Sequence, residues 1–419
     1  MKLSVVFRVL FFSCIATNVV LAASGCQAMQ GAVQSQAIPE TGPRSAGVPM
    51  LRRDNLHVLH AFNPTRYNDD GGTPISRLIE LGGKFYGTTW TGGALHSWGT
   101  VFEVDSTGRE HTIHEFLGGY SYTDGGNPYA GLTRMGNLMY GTTLNGGAYN
   151  NSGTVFSITP KGKEKVIHSF GADGDGYQPA GDLLAYKGVL YGTTSYGGNG
   201  GKHCASYCGA VFAISPKGNE RIVHSFHSND GARPYGGVIA VNGVLYGTTV
   251  LNGGSYGGEG TAYYVSPSGT FNRLHIFGKS GDGANPYGSL LFTHGSLYGT
   301  TSAGGAHGAG TIFKLGLDGS ESVLYSFSGV LDGARPEGGL IVVDDKLIGT
   351  TSGGGGGCGC GTIFAVDLKG NEKTLHLLDG IHDGEYPQDT LLYSNGALFG
   401  TAYTGGPGQF GTVFRLKYR

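Results

Sequence analysis

The stretch that decides the fold is residues 287–327, YGSLLFTHGSLYGTTSAGGAHGAGTIFKLGLDGSESVLYSF. Its apolar or alternating segments have the composition of short strands, namely 287–293, 296–302, 310–317 and 321–327. His294-Gly295 and Asp318-Gly319 separate two of the strand pairs, and such pairs are signals for tight hairpin turns. The stretch therefore predicts a unit of four antiparallel strands.

This unit recurs seven times along the chain. The sequence Tyr-Gly-Thr-Thr, or a close variant, starts at Tyr86, Tyr140, Tyr191, Tyr246, Tyr298, Ile348 and Phe399. The motif Asp-Gly-x-x-Pro starts at Asp70, Asp124, Asp175, Asp230, Asp282, Asp332 and Asp383. Four-stranded units at a period of about 50 residues are typical of propeller blades. We therefore predict an all-β, seven-bladed β-propeller over residues 56–419.

The phase of the repeat predicts how the ring closes. The chain enters the pattern at a fourth strand, residues 57–62, and leaves it after a third strand, residues 411–417. The last blade would therefore combine three C-terminal strands with one N-terminal strand. Pairing the first strand with the last removes an exposed sheet edge, which favours a closed ring.

The composition excludes several other classes of protein. Glycine accounts for 80 of 419 residues, but it does not recur at every third position, so the chain is not collagen. The 39% of hydrophobic residues, with 24 Tyr and 20 Phe, are enough to form a core, which argues against disorder. The net charge is −2 without a long basic run, so we expect no nucleic-acid partner.

The N-terminus has the features of an export signal. Residues 1–25 combine Lys2 and Arg8 with a short apolar stretch and end before Cys26. The segment Ala23-Ser24-Gly25-Cys26 resembles a bacterial lipobox, with alanine where leucine is usual, so we expect lipidation of Cys26; ordinary cleavage nearby is the alternative. Residues 26–55 are predicted to be a flexible tether. The protein would then be exported, and either secreted or held in the cell envelope through a lipid anchor alone.

The combined motifs resemble a known repeat family. The run LYGTT, GG, GTVF, PxG, HSF and DGxxP is similar to the GloVer (Gloeo/Verruco) tandem repeat of exported bacterial proteins, and it covers residues 56–419. The resemblance implies a repeat architecture on the outside of the cell. It implies no defined biochemical activity.

Histidines and aspartates that recur once per unit are expected to be structural. The fourth strands carry His60, His114, His168, His224, His275 and His376, with Tyr325 in the remaining copy. Histidines in separate blades lie too far apart to share one zinc ion. An aspartate before glycine stabilises a turn. We therefore expect neither a metal nor another cofactor.

Function is expected where the repeats differ. The residue before the proline of each Asp-Gly-x-x-Pro motif should approach the mouth of the central channel, and these residues are Thr73, Asn127, Gln178, Arg233, Asn285, Arg335 and Tyr386. Tyr129, Tyr235 and Tyr287 follow the prolines and offer flat faces for sugar rings. The hypothesis is a site for a glycan or a small polar ligand. The alternative is a solvated rim without a ligand.

The loops between second and third strands vary most and contain cysteines. In an exported chain, Cys204 with Cys208 and Cys358 with Cys360 are expected to form local disulfides. A zinc site built from His203, Cys204 and Cys208 is the alternative for the first pair.

Three classes of function are compatible with these sequence features. No motif of a serine hydrolase, zinc protease or phosphate-binding loop occurs, so a monomeric, non-catalytic binding or scaffolding propeller is the leading hypothesis. A carbohydrate-active enzyme at the channel mouth, and an adhesion protein with a protein partner on the variable loops, are the alternatives. An asymmetric polar mouth with clustered carboxylates or arginines would favour the enzyme, and an apolar patch elsewhere would favour a protein partner.

Overall fold

The computed structural model describes residues 55–65, 70–94, 97–118, 124–172, 174–198, 208–227, 229–252 and 259–418. The predicted signal segment, Cys26, the tether up to residue 54 and Cys204 lie outside these residues. Within the described ranges, no helix is long and apolar enough to cross a membrane.

Seven small antiparallel sheets form the blades of a β-propeller, as predicted. The innermost strands are Ile79–Leu81, Thr133–Met135, Leu184–Tyr186, Ile239–Val241, Leu291–Thr293, Ile341–Val343 and Leu392–Ser394. The second strands are Lys84–Gly92, Leu138–Thr143, Val189–Gly197, Val244–Thr249, Ser296–Thr301, Lys346–Thr351 and Ala397–Ala402. The third strands are Thr100–Asp105, Thr154–Ile158, Ala210–Ile214, Thr261–Val265, Thr311–Leu315, Thr362–Asp367 and Thr412–Lys417.

The outer strands complete the blades, which we number one to seven from the blade of Ile79–Leu81. Their bounds are Glu110–Glu115, Glu164–Ser169, Glu220–Ser225, Phe271–Ile276, Glu321–Ser326, Glu372–Leu377 and, in blade seven, Leu56–Ala61. Short strands in the loops are Gly71–Pro74, Gly125–Gly126, Asn145–Gly146, Gly176–Pro179, Gly283–Ala284 and Ala303–Gly304.

The ring closes three-plus-one, as the phase of the repeat predicts. The N-terminal strand Leu56–Ala61 pairs antiparallel with the C-terminal strand Thr412–Lys417. Leu56 lies opposite Leu416, and Val58 lies opposite Phe414. The first and last strands of the repeat region therefore share one blade.

Aromatic pairs fill the space between neighbouring blades. In four joints the phenylalanine that follows the outer strand packs edge-on against the third-strand phenylalanine of the next blade, as Phe116 does against Phe156 at 5.2 Å between ring centres. Phe170 and Phe212 repeat this contact at 5.1 Å. These side chains are fully or almost fully buried. The repeated phenylalanines therefore form the core of the joints between blades.

A hydrogen bond repeated on the outer side secures the same joints. In blade two, His168 Nε2 lies 3.1 Å from Oδ2 of Asp175, the aspartate of the following loop. In blade five, the hydroxyl of Tyr325 donates to Asp332 Oδ2 over 2.8 Å in the place of this contact. The recurrent histidines and aspartates thus make a structural contact.

Candidate functional site

The Asp-Gly-x-x-Pro loops carry the candidate site residues on an unusual backbone. The residue before each proline adopts a left-handed conformation with φ between 52° and 58°, which applies to Thr73, Asn127, Gln178, Arg233, Asn285, Arg335 and Tyr386. Glycine and asparagine tolerate this region, whereas other residues occupy it at a cost in free energy. Five of the seven positions hold neither glycine nor asparagine.

The contact between blades imposes this conformation. The backbone N–H of Arg335 donates to the Ala309 carbonyl of the preceding blade over 2.8 Å, and that of Arg233 donates to the Cys208 carbonyl over 2.9 Å. The proline that follows packs on the glycine that begins the third strand of that preceding blade; a Cβ on Gly310 would lie 2.6 Å from Cδ of Pro336. The loop therefore has one geometry in every blade while its side chain varies.

The candidate residues before the prolines divide by what their side chains contact. Asn127 Nδ2 donates to the Trp90 carbonyl over 2.8 Å, and Asn285 Nδ2 donates to the Val250 carbonyl over 3.1 Å. These two amides thus bind the preceding blade. The Thr73 hydroxyl lies 2.8 Å from that of Thr91. Gln178, Arg233, Arg335 and Tyr386 occupy the equivalent positions on the other blades.

The predicted tyrosines meet at the ring axis. Tyr129 and Tyr235 belong to blades two and four, and their ring centres lie 6.5 Å apart. Tyr235 and Tyr287 lie 5.5 Å apart. Because blades two and four are not neighbours, this contact forms across the central channel. Burial is the main cause that raises the pKa of each of these hydroxyls. We call Tyr129, Tyr235 and Tyr287 the tyrosine cluster.

Arginine lies at the edge of this cluster. The guanidinium of Arg233 lies 5.1 Å from the ring centre of Tyr196, a cation–π contact. Tyr196 stacks in turn on Tyr177 with 5.4 Å between ring centres. Tyr196 was not predicted from the sequence. It lies in the second strand of blade three, where it is one member of an ordinary strand pattern.

Glu337 is a second residue that sequence reasoning missed. It follows the proline of blade six, at the position where three other blades carry the tyrosine cluster. Burial raises the pKa of Glu337, while the charge of Arg335 and a hydrogen bond from Ser352 act against that shift. The charge of Glu337 contributes to the raised pKa of Tyr129 and Tyr287. Glu337 occupies in blade six the position that Tyr287 occupies in the neighbouring blade five, and a Cβ on Gly288 would lie 2.7 Å from the carbonyl oxygen of Gly338.

Three further charged residues line the channel. Arg77 of blade one forms an ion pair with Asp182 of blade three, with 2.6 Å between Nε and Oδ2. The backbone N–H of Arg77 donates to Oδ2 of Asp389, in blade seven, over 2.5 Å. Gly131 N–H donates to Asp182 over 2.6 Å, and a Cβ at Gly131 would lie 2.5 Å from Cγ of Arg77. We call Arg77, Asp182 and Asp389 the charged trio.

The charged trio keeps partial contact with solvent and has one unusual carboxyl group. The side chain of Arg77 is 34% exposed and that of Asp182 is 17% exposed, although Gly131 and Thr133 pack beside them. Burial and the nearby charge of Asp182 raise the pKa of Asp389 to about 7, against the opposing effect of Arg77. Burial and the charge of Asp182 therefore favour the protonated form of Asp389.

The charged trio breaks the seven-fold pattern. The second and third residues after the recurrent proline are 14 positions in the seven blades. The charged trio occupies three of these positions, and the other 11 hold Gly, Ala, Ser or Thr. Arg77 contacts both of the other charged residues of this layer. A charged side chain where the other repeats have a small one was the signal available in the sequence.

The outer joints bring together residue types that can bind metals. His114, Asp124 and Glu164 place one nitrogen and two carboxylate oxygens within 4.8 Å of one another, and three equivalent groups in the described residues do so too. A fifth group, His224, His227 and Asp230, places two nitrogens and one carboxylate oxygen within the same distance. In four of the five groups, the glutamate comes from the outer strand of the next blade, which the sequence reading missed. Because the arrangement recurs around the ring, it is a feature of the joints.

The cysteines lie in the loops that were predicted to vary. The sulfur atoms of Cys358 and Cys360 lie 2.16 Å apart, and Cys360 is buried. The backbone carbonyl of Cys360 accepts the N–H of Tyr386 over 2.8 Å, so this loop supports the channel mouth. Cys208 is buried, and its predicted partner Cys204 lies outside the described residues.

Comparison with known families gives a match over nearly the whole propeller. The sequence profile of the Gloeobacter/Verrucomicrobia repeat matches residues 49–258 and 249–419. No curated protein matches the chain.

Solved structures match the chain at low sequence identity and with TM-scores below 0.5. A puromycin-hydrolyzing peptidase from Mycobacterium tuberculosis is 13% identical with a TM-score of 0.49, over 82% of this chain and 51% of that one. A quinohemoprotein alcohol dehydrogenase from Pseudomonas putida is 9% identical with a TM-score of 0.48, over 90% and 79% of the two chains. A gluconolactonase from Xanthomonas campestris is 14% identical with a TM-score of 0.38, over 68% and 91%. Likeness at this level carries no argument about activity.

Proposed function

The chain belongs to the Gloeobacter/Verrucomicrobia repeat family, and from that premise we propose that its propeller is a non-catalytic module that binds a glycan at the channel mouth. Membership of this family accounts for the ring of blades but does not identify a ligand. The residues that differ between the repeats supply the chemistry. They converge on the mouth and on the lumen just below it.

The observation that carries this proposal is the left-handed backbone before the seven prolines. Such a conformation costs an arginine or a tyrosine about 1–2 kcal/mol relative to its usual backbone. Asn127 and Asn285 show that asparagine serves the same turn in this molecule. The turn therefore does not require the side chains of Arg233, Arg335 and Tyr386, although each has a strained backbone. Such strain is typical of residues whose side chains bind a ligand.

The chemistry of the mouth suits a sugar. Aromatic faces stack on sugar rings, and the tyrosine cluster offers three of them from different blades. Arg335 is exposed at the rim, and guanidinium and carboxyl groups such as Glu337 hydrogen-bond to hydroxyl groups in fixed directions. An apolar ligand would leave these polar groups without partners.

The test is a glycan screen with the full exported chain and the variants Arg233→Asn and Arg335→Asn. Asparagine keeps the left-handed turn and removes the guanidinium, so we expect unchanged or slightly increased thermal stability and at least ten-fold weaker binding. Arg109→Asn, in an exposed turn between the third and outer strands of blade one, is the matched control and should bind normally. Wild-type affinity in both mouth variants would refute the proposal.

A carbohydrate-active enzyme is the second candidate, and the charged trio is the observation that favours it. Two carboxyl groups bind different ends of Arg77, and a raised pKa such as that of Asp389 is a property of general acids. Incubation of any bound oligosaccharide with the protein, followed by measurement of new reducing or unsaturated ends, distinguishes this candidate from a binding module.

We further propose that the module is exported and monomeric, with Cys26 lipidated and with disulfides Cys204–Cys208 and Cys358–Cys360. The Cα atoms of Cys358 and Cys360 lie 5.2 Å apart, within the usual range for disulfide-bonded cysteines, which supports the second bridge. Disulfides persist in the oxidising compartments to which the N-terminal sequence would direct the chain. Mass spectrometry of the mature protein, with and without reductant, measures the lipid and both bridges.

A further inference from the structure

The joint between blades three and four differs from the other joints in its polar residues. Where four joints combine a histidine, an aspartate and a glutamate, this joint has Phe271 at the position of the glutamate. A second histidine, His227, follows the outer strand of blade three. The joint therefore brings together two histidines and one aspartate, namely His224, His227 and Asp230.

The contacts within this group are short and share one oxygen atom. Nε2 of His224 and Nδ1 of His227 each lie 3.1 Å from Oδ2 of Asp230. All three of these atoms lie within 4.8 Å of one another. Zinc binds nitrogen and carboxylate oxygen at about 2.0–2.2 Å, so neighbouring ligand atoms around it are about 3.0–3.5 Å apart. The two nitrogen–oxygen distances therefore match those between ligands of one metal ion.

The carboxylate of Asp230 has a different role from those of the other motif aspartates. In the described residues, a backbone N–H donates to the carboxylate of each of the other six, which are Asp70, Asp124, Asp175, Asp282, Asp332 and Asp383. The hydrogen bonds of the Asp230 carboxylate in this part of the chain are those with His224 and His227. Its negative charge is therefore directed at the two imidazole rings and not at the backbone of the turn.

Packing holds this group on one side and leaves it open to water on the other. The ring of His224 stacks on Phe271, with 4.0 Å between ring centres and 6° between the ring planes. The backbone N–H of Asp230 donates to the His227 carbonyl over 3.0 Å, which closes the turn between them. The side chain of His227 is 51% exposed, so a small rotation of its ring can bring its nitrogen closer to that of His224.

We propose that His224, His227 and Asp230 bind a divalent transition-metal ion such as Zn²⁺, at a site on the outer side of the ring that is independent of the proposed glycan-binding function. Two imidazole nitrogens and one carboxylate oxygen favour such an ion over Ca²⁺ or Mg²⁺, which prefer oxygen ligands. Three protein ligands leave at least one position for water, as in open zinc sites. The expectation of no metal site concerned histidines of different blades, whereas His224 and His227 belong to one joint.

A metal ion at this position ties the outer strand of blade three to the loop before blade four. The unfolded chain lacks this arrangement of ligands, so the ion binds the folded state preferentially and stabilises it. We therefore expect Zn²⁺ to raise the midpoint of thermal unfolding of the metal-free protein, and Ca²⁺ at the same concentration to leave it unchanged.

The test is a titration of the metal-free full chain with Zn²⁺ at pH 7.5, where most imidazole groups are neutral, and without reductant. Calorimetry measures the affinity and the number of ions bound. We expect His227→Asn to weaken Zn²⁺ binding at this site at least ten-fold and to remove the Zn²⁺-dependent rise in the unfolding midpoint. Because the side chain of His227 is half exposed, the metal-free variant should fold as the wild type does.

The matched control is His382→Asn, in the equivalent loop of blade six. Nδ1 of His382 lies 2.7 Å from Oδ2 of Asp379, but within the described ranges His382 belongs to no group of three such ligand atoms. This variant should bind Zn²⁺ like the wild type. Equal Zn²⁺ affinity and stoichiometry in the wild type and in His227→Asn would overturn the proposal, because any zinc bound would then lie elsewhere, for example at His203, Cys204 and Cys208. Absence of Zn²⁺ binding by the wild type would overturn it as well.

Discussion

At the scale of single residues, the side chain of Tyr263 differs from its equivalents in the other blades. It is fully buried in blade four, and its hydroxyl has no hydrogen-bond partner within the described part of the chain. The same position is phenylalanine in six blades, namely Phe102, Phe156, Phe212, Phe313, Phe364 and Phe414. Burial raises the pKa of the Tyr263 hydroxyl, as expected for a group removed from water. The buried hydroxyl of Tyr263 therefore lowers the free energy of unfolding, and the phenylalanines of the other blades show that the joint between blades does not require it.

Replacing this residue should stabilise the protein. We expect Tyr263→Phe to raise the free energy of unfolding by about 1 kcal/mol, because it removes a buried polar group that has lost its bond to water. Urea denaturation measures the change. Tyr264→Phe is the control, since the Tyr264 hydroxyl accepts a bond from Asn272 at the surface, and it should be neutral or slightly destabilising. A loss of stability in Tyr263→Phe would mean that the hydroxyl has a partner such as a buried water.

At the scale of structural elements, the joints between blades combine an apolar interior with a titratable outer side. In the joint of blades one and two, Phe116 packs on Phe156, while His114, Asp124 and Glu164 meet beside them. Burial raises the pKa of Glu164 to about 7, and the charge of His114 opposes that shift. Glu220 repeats this behaviour in the joint of blades two and three, also with a pKa of about 7. The packing of the elements is thus linked to proton binding.

This linkage has a defined sign. The folded protein holds the proton of Glu164 up to about pH 7, whereas the unfolded chain loses it near pH 4.3. The neutral carboxyl group of Glu164 therefore makes its full contribution to the free energy of unfolding below about pH 4, and this contribution is lost as the pH rises through 7.

We expect Glu164→Gln to increase the free energy of unfolding by on the order of 1–3 kcal/mol at pH 8 and to have little effect at pH 4. Thermal or urea unfolding at both pH values measures the difference. Asp345→Asn, which changes an 81% exposed carboxylate, should show no comparable pH dependence. A gain at pH 4 that equals the gain at pH 8 would exclude burial of the charge as the cause.

At the scale of the whole molecule, the strand Leu56–Ala61 joins the two ends of the ring. This strand makes the same contacts as the outer strands of the other blades, which directly follow the third strand of their own blade in sequence. Phe62 after this strand packs edge-on against Phe102 of blade one at 5.2 Å, as Phe327 packs against Phe364 at 5.0 Å. Both Phe62 and Phe327 are fully buried. The closing blade is therefore packed as tightly as an ordinary one.

We expect Phe62→Ala and Phe327→Ala to cost a similar free energy of unfolding, about 3–5 kcal/mol each, because each removes a fully buried ring. Chemical denaturation of the two variants measures the costs side by side. If Phe62→Ala were nearly neutral while Phe327→Ala was not, the N-terminal strand would not be a stable part of the ring in solution.

Much of the fold follows from the sequence because its signals are local and repeated. Turn pairs such as His294-Gly295 and the alternation of strand residues recur in phase, so seven blades and their closure could be predicted. The candidate mouth residues were also predictable, since Arg233 and Arg335 stand directly before the prolines of a recognisable loop. Tyr129, Tyr235 and Tyr287 were located by the same positional argument.

What the sequence alone determined is therefore the ring, its number of blades and the loop positions where the repeats differ. What only the tertiary structure decided is which of these residues meet: Arg77 with Asp182 and Asp389, and Glu337 with the tyrosine cluster. These partners lie at least 50 residues apart in the sequence, and 312 residues apart for Arg77 and Asp389. Proximity of this kind is set by closure of the ring around its axis. Local sequence patterns encode each blade but carry no information about which side chains face one another across the channel.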